Sequence, residues 1–458
     1  MPVTLRCGSR RARGVRARSR LCKLVRGACR PVADLRRAPN RNTETTMKLS
    51  NATPRALAVA LLGWMLATPA LAADATPGPS LAGQSRAIDL RLGAQSGLSK
   101  SAWSAPVKIH AADAAYIKVH FAQFDLPAGV VLEVSDPKRS EVYRYRKGDL
   151  GRYTVDAALG EDGKTRFGAM SVAGDTAVLR LTGTPTEPWA PHHGVRVARY
   201  DEGFPQAMMG ELSDAGLLNG GGSAKSICGT KDSRPVACYA STDATAVARS
   251  KPVALILLNG TKWCTAWRVG PDNRIFTNNH CLDSAADVAG SEFWFNYQAT
   301  TCAGTTSGAL TKVAGDRMLK TNQTLDYTLL TVKNFASISS FGYLSLDVRK
   351  PVVGEEIYIS GHPDTRMKEL SVVSDRDGGG RCKVIDADAD GYGTDTDAGY
   401  YCDTEGGNSG SPVLARSSHK VVALHHFGGN CNVAAPNRGV KMQLIWPQVS
   451  SYFGGVVP

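Results

Sequence analysis

A histidine, an aspartate and a serine stand in three short motifs of this chain, in that order. Thr277-Asn278-Asn279-His280-Cys281 follows the apolar pair Ile275-Phe276. Asp326-Tyr327-Thr328-Leu329-Leu330 runs into an apolar segment. Glu405-Gly406-Gly407-Asn408-Ser409-Gly410-Ser411-Pro412 comes last. A serine acts as a nucleophile when a base takes its proton and donors meet the oxyanion that forms. His280 can be that base, and can later protonate the leaving amine. Asp326 can hold the imidazole tautomer and stabilise the imidazolium. The small residues around Ser409 expose its hydroxyl and aim the backbone N–H groups of Gly407 and Ser409 at one point. Each piece alone has a plain structural counterpart. A Gly/Ser/Asn cluster is usually a turn, a histidine beside a cysteine is usually structural, and an aspartate before a strand is usually a turn residue. The argument rests on their joint occurrence.

The elements that must position these residues read as short strands. From Ser226 onward strand candidates recur at Val253–Leu258, Leu329–Val332, Ile357–Ile359 and Val421–Leu424, and helical periodicity is scarce. About 230 residues of this kind suit an all-β barrel or sandwich with a substantial core. Upstream, residues 86–203 form a cysteine-free, β-rich stretch. Ile117-Lys118-Val119-His120-Phe121 alternates as a half-buried strand does, and Val130–Val134 and Ala177–Leu181 do so more roughly. Between the two lies a polar, glycine-rich segment, Met209–Lys225, which reads as a protease-accessible linker.

The 458 residues carry a formal net charge of +13, which invites a nucleic-acid reading. Its location removes that reading. Residues 1–46 hold 13 Lys and Arg against Asp34 and Glu44, and residues 47–72 add Lys48 and Arg55 with no acid, so residues 73–458 are close to neutral. Residues 47–72 have the layout of a secretory signal: Met47, Lys48 and Arg55, an apolar run Ala56–Leu66, and the cleavage site Ala70-Leu71-Ala72. The run is too short for a membrane anchor. Residues 1–46 are then read as an upstream-start extension. The organisation expected is a signal at 47–72, a β-rich pro-domain at 73–203, a linker and processing region at 204–225 with a cut after Lys225, and a catalytic domain at 226–458. A secreted monomer follows, with no nucleic-acid or membrane partner. Eight cysteines remain beyond residue 72, all after residue 225. An even count in an exported chain suggests four disulfides, for which sequence alone allows 105 pairings.

The order and motifs resemble the chymotrypsin-fold serine peptidases, and within them the bacterial lysyl endopeptidase group. Asn279-His280-Cys281-Leu282, Asp326–Leu330, Asn296-Tyr297-Gln298 with Cys302, and Gly361-His362-Pro363 with Lys368-Glu369-Leu370-Ser371 carry the resemblance, which covers about residues 226–450. It implies two six-stranded antiparallel β-barrels with the triad in the cleft between them. It also implies the bridges Cys228–Cys431, Cys238–Cys302 and Cys264–Cys281, with Cys382–Cys402 left as an extra one. Residues 86–203 are similar to the pro-regions of such enzymes, and imply an intramolecular inhibitor or folding aid. Animal zymogens of this fold carry an acid where Asn408 stands. An Asn cannot pair with a new N-terminal amine, so the site is expected to be pre-formed.

Specificity cues conflict. Asp403 lies six residues before Ser409, where trypsin-type enzymes place the acid that selects Lys or Arg. Against it, Ala435–Val440 has no acid, so the lysyl group's own specificity Asp is missing. His426-Phe427-Gly428-Gly429 resembles the glutamyl endopeptidases, in which that histidine reads an acidic side chain, and Thr404 matches a pocket threonine of that group. The sequence favours cutting after basic residues, with glutamyl specificity the alternative. Gly428 and Gly429 offer a strand edge to substrate backbone. Asp386, Asp388, Asp390 and Gly391, with Asp397 at the twelfth position, have calcium-loop spacing. Without flanking helices they read better as a solvated acidic loop, and no cofactor is expected. A non-catalytic binding protein of the same fold would require a broken triad, and all its members are present.

Overall fold

The computed structural model describes residues 78–93, 105–205, 208–209, 225–432 and 434–458. The proposed signal, the upstream extension and most of the linker lie outside them. Among the described residues the chain is mostly β, and the segment 253–332 closes into a barrel. Its strands run Lys262–Arg268, Val253–Leu258, Ser291–Phe295, Thr311–Asn322, Tyr327–Val332 and Ile275–Thr277, and the last pairs back onto the first. All pairs are antiparallel. A second sheet of eight strands is built from Arg234–Pro235 and seven strands between Ile357 and Lys441. It curls shut where Ile357 N–H donates to the Cys382 carbonyl and Val384 N–H to the Glu355 carbonyl. Closure removes the free edges that an open sheet would expose.

Residues 83–203 build two further antiparallel sheets around a separate core that includes Ile117, Val119, Phe121, Leu132, Phe167 and Leu179. The alternation at 117–121 does mark a strand, Tyr116–Asp125. Its polar face is not solvated as expected: Lys118 is 1% and His120 5% exposed. Lys118 Nζ reaches Glu292 Oε1 at 2.5 Å, and Glu292 also accepts from the Ser171 hydroxyl at 2.6 Å and the Trp294 indole at 3.0 Å. Lys312 Nζ pairs with Glu141 at 2.8 Å. This buried ionic group joins the upstream sheets to the first barrel. Such a group survives in low dielectric because each charge has a partner and hydrogen bonds besides. Ser80–Leu81 adds a seventh strand against Lys262–Trp263.

The same junction explains the unbroken apolar run Val253–Leu258. Ala254, Ile256 and Leu258 point into the barrel. Leu255 and Leu257 point the other way and pack with Ala82, Tyr116, Trp263 and Trp294. A strand covered on both faces needs no polar alternation.

Three of the four expected bridges are present: Cys228–Cys431, Cys238–Cys302 and Cys264–Cys281. The fourth is not. Cys382 and Cys402 are buried free thiols, and the Cys382 thiol donates to the Val373 carbonyl at 3.4 Å. Burial raises both thiol pKa values, and a disulfide forms through a thiolate that such a site suppresses.

Candidate active site

The first barrel positions His280 and Asp326. Ile275–Thr277 pairs with Tyr327–Val332 in the register Thr277↔Thr328. His280 lies three residues past the end of one strand and Asp326 one residue before the other, so the register brings them together. Asn278 locks the turn by donating to the Asp326 carbonyl at 2.8 Å. The Asp326 carboxylate accepts the His280 backbone N–H at 2.9 Å and the His280 ring Nδ1 at 2.7 Å. The Cys264–Cys281 bridge ties the histidine loop to the neighbouring strand. By the loop-entropy model it contributes about 3 kcal/mol.

The second barrel supplies the serine loop. Thr265 stitches that loop to the first barrel: its N–H donates to the Ser409 carbonyl at 2.9 Å and its hydroxyl to the Gly407 carbonyl at 2.8 Å. Two glycines are required here. Gly407 has φ +90° and a Cβ there would sit 2.6 Å from the His362 carbonyl oxygen. Gly410 has φ +88° and its Cβ would meet the Thr265 carbonyl oxygen at 2.1 Å. Cys281 Sγ lies 3.9 Å from the Ser409 carbonyl oxygen, which puts the serine loop beside the histidine loop. His280 Nε2, the atom that would receive the serine proton, is buried and has no hydrogen-bond partner among the described residues. No hydrogen bond joins Ser409 Oγ to His280 Nε2 in this structure, and catalytic hydrogen bonds commonly tighten only with substrate.

His426 is not arranged to read a substrate side chain. It is 2% exposed, its Nδ1 lies 3.0 Å from Asp326 Oδ2, and its Nε2 lies 2.5 Å from Asp397 Oδ2. Both ring nitrogens face carboxylates, so both carry protons. Burial alone would lower its pKa, but Asp397 and Asp326 outweigh it and push the pKa up to about 9. Burial likewise works to raise the Asp326 pKa, and the charges and hydrogen bonds of His280 and His426 hold it well below the usual carboxylate range. Asp326 thus serves two imidazoles. Asp397 completes a chain of Asp397, His426, Asp326 and His280. Sequence reasoning missed this role of Asp397, having counted it as a calcium-loop position.

Asp403 also differs from expectation. Its Oδ1 accepts the Cys228 N–H at 2.8 Å and its Oδ2 the Asp232 N–H at 2.5 Å. Burial raises its pKa to about 6, against those backbone donors. The carboxylate holds the segment after Ser226 rather than standing free for a substrate cation. Thr404 pairs with Ser226, and Lys225 pairs with Glu405. A Cβ on Gly428 would lie 1.8 Å from the Ser226 hydroxyl oxygen. Asn437 donates to the Ser226 and Cys402 carbonyls, each at 2.8 Å, and accepts the Gly429 N–H at 3.0 Å. Ser226 therefore lies between the Thr404 wall and the Gly428 wall. Asn437 was visible in the sequence only as part of an acid-free segment.

The carboxylates of the acidic run do not converge on a common cation position. Asp388 pairs with Lys350 at 2.5 Å and Lys441 at 3.0 Å, Asp397 takes His426, and Asp386 and Asp390 accept nearby backbone N–H groups. Residues 384–389 form a strand rather than a loop.

Residues 264–424 match the family of trypsin-like peptidase domains. Over 342 residues the chain is 28% identical to secreted RxLR effector protein 73 of Plasmopara viticola, covering 72% of this chain and 79% of that protein. It is 31% identical over 184 residues to the uncharacterized protein y4fB of Sinorhizobium fredii, covering 37% of this chain and 26% of that one. Among solved structures, a Glu endopeptidase in complex with MPD superposes with a TM-score of 0.36 at 20% identity, covering 50% of this chain and all of that one. Deg5 superposes at 0.31 with 16% identity, covering 44% and 90%.

Proposed function

We propose that this chain, a serine endopeptidase with a trypsin-like peptidase domain, works through His280, Asp326 and Ser409. Ser409 Oγ attacks the scissile carbonyl while His280 Nε2 takes its proton. His280 then protonates the leaving amine, and water hydrolyses the acyl-enzyme by the reverse sequence. The N–H groups of Gly407 and Ser409 meet the oxyanion. The observation that carries this reading is the double hold of Asp326 on His280, through ring and backbone, beside a serine loop stitched across by Thr265. A fluorophosphonate followed by peptide mapping should mark Ser409. A label on another residue, or none on folded protein, would overturn the assignment.

The protein is proposed to be exported and made as a pro-enzyme. Its disulfides suit an oxidising compartment, and the Plasmopara relative is secreted by name. Among the described residues no helix is long and apolar enough to cross a membrane. Ser226, seated between Thr404 and Gly428, obstructs the groove proposed to bind substrate, which supports latency of the uncut chain. Processing after Lys225 must first open the short Lys225–Ser226 pairing with Glu405 and Thr404.

For the residue before the scissile bond, Lys or Arg is favoured over Glu. His426, the group that would read an acid, is enclosed by Asp326 and Asp397, while the acid Asp403 lies beside the proposed pocket. The backbone donors on Asp403 reduce its pull, so discrimination should be weaker than a free buried carboxylate gives. Cleavage of a peptide library by the processed enzyme should yield mainly Lys and Arg at that position. A Glu preference would reverse the reading.

A further inference from the structure

Asn408 carries no charge, so an ion pair to a new chain terminus cannot fix the loop Glu405–Ser409. Another device occupies that role in the fold. Glu405 begins the loop and is 8% exposed. Its carboxylate pairs with Arg366 through Nη2, and with Lys231 Nζ at 3.0 Å. Arg366 spreads its other donors over Glu369 Oε1 at 3.0 Å and Asp364 Oδ2 at 3.2 Å. Asp364 in turn donates its backbone N–H to the Gly406 carbonyl at 2.6 Å. One guanidinium thus grips the Glu405 side chain directly, and it also grips Asp364, whose backbone fixes Gly406, the next residue.

The turn that presents Arg366 supports this role. Asp364 and Thr365 have φ +44° and +59°, a left-handed pair of non-glycine residues. Such conformations persist where surrounding bonds over-determine them and tend to cluster at functional sites. The direction of the next peptide groups matters for chemistry, since the Gly407 and Ser409 N–H groups must point at the oxyanion rather than at the ground-state substrate.

We propose that Arg366, assisted by Lys231, is a positioning residue that fixes the Glu405–Ser409 loop and so aims the Gly407 and Ser409 N–H groups at the oxyanion. The proposal rests on the reading of Ser409 as the nucleophile. Arg366 touches no substrate atom and acts through Glu405 and Asp364.

Steady-state kinetics of the full chain after processing test it. Arg366→Ala should lower kcat about 100-fold, the loss expected when an oxyanion donor is misdirected, with KM within about twofold. Arg366→Lys, which keeps the charge without the planar fork, should recover only part of that loss. Guanidinium ion added to Arg366→Ala should raise kcat. A merely structural role predicts instead a lower melting temperature with kcat of the folded enzyme unchanged, and that result would overturn the proposal. If Arg366→Ala does not accumulate as folded protein, Glu405→Gln is read by the same kcat and KM criteria. A wild-type enzyme whose hydrolysis does not depend on Ser409 would sink the nucleophile reading itself. Ser409-dependent hydrolysis with an unimpaired Arg366→Ala would sink only the clamp.

Discussion

Ser409→Ala should lower kcat by about 10⁶-fold, the scale seen when the nucleophile of such a triad is removed. The fold should hardly notice. The serine backbone is fixed by the Thr265 N–H to Ser409 carbonyl bond and by the two glycines around it, none of which uses the hydroxyl. The melting temperature should stay within a few degrees of wild type, and KM should change little, because the substrate contact proposed along Gly428 does not pass through Oγ. A residual rate above water should remain, of the kind that oxyanion donors and binding supply without a nucleophile. Hydrolysis by the mutant within about tenfold of wild type would move the nucleophile elsewhere. A loss of activity accompanied by unfolding would leave Ser409 a structural residue.

The members of this constellation were legible in the sequence because each stands in a local motif. What was not legible depends on register between strands distant in sequence. Asp397 looks like the end of an acidic run. It meets His426 only because Asp397 pairs with Val440 and Val440 with Leu424. Spacing along the chain cannot report a contact made across three strands. For the same reason His426 was read from its neighbours as a substrate-binding residue, while the fold turns it inward to Asp326. Asp403 illustrates the reverse error. Counting six residues back from Ser409 found a carboxylate, but not the backbone of residues 228–232 that claims its oxygens. At the domain level, alternation at 117–121 correctly gave a strand. It could not show that a second polar surface, around Glu292, would cover Lys118. The barrel fold itself was readable, because short apolar strands, scarce helical periodicity and the cysteines all pointed the same way.

Asp326→Asn is expected to lower kcat by about 10⁴-fold, the effect such a replacement has where an aspartate sets the histidine tautomer. The geometry gives the reason. Asp326 Oδ2 accepts from His280 Nδ1, which forces the lone pair onto Nε2, where the serine proton must go. An amide can offer an N–H there instead, and His280 would then hold its proton on Nε2 and cease to be a base. The second consequence concerns His426 and separates this reading from a plain packing defect. The His426 pKa is raised to about 9 by Asp397 and Asp326 together, so the stability it contributes is fully present below its unfolded pKa of about 6.5 and is lost as pH rises through about 9. With Asp326 neutral, one of the two carboxylates is gone and the His426 pKa must fall. The alkaline loss of thermal stability should therefore begin near the same pH in both proteins, but be smaller and be complete at lower pH in Asp326→Asn than in wild type. Melting curves measured from pH 6 to pH 10 on both proteins would show the difference. Parallel curves, offset by a constant amount at every pH, would mean that His426 does not titrate against Asp326, and the chain of imidazoles and carboxylates behind Ser409 would not act as a unit.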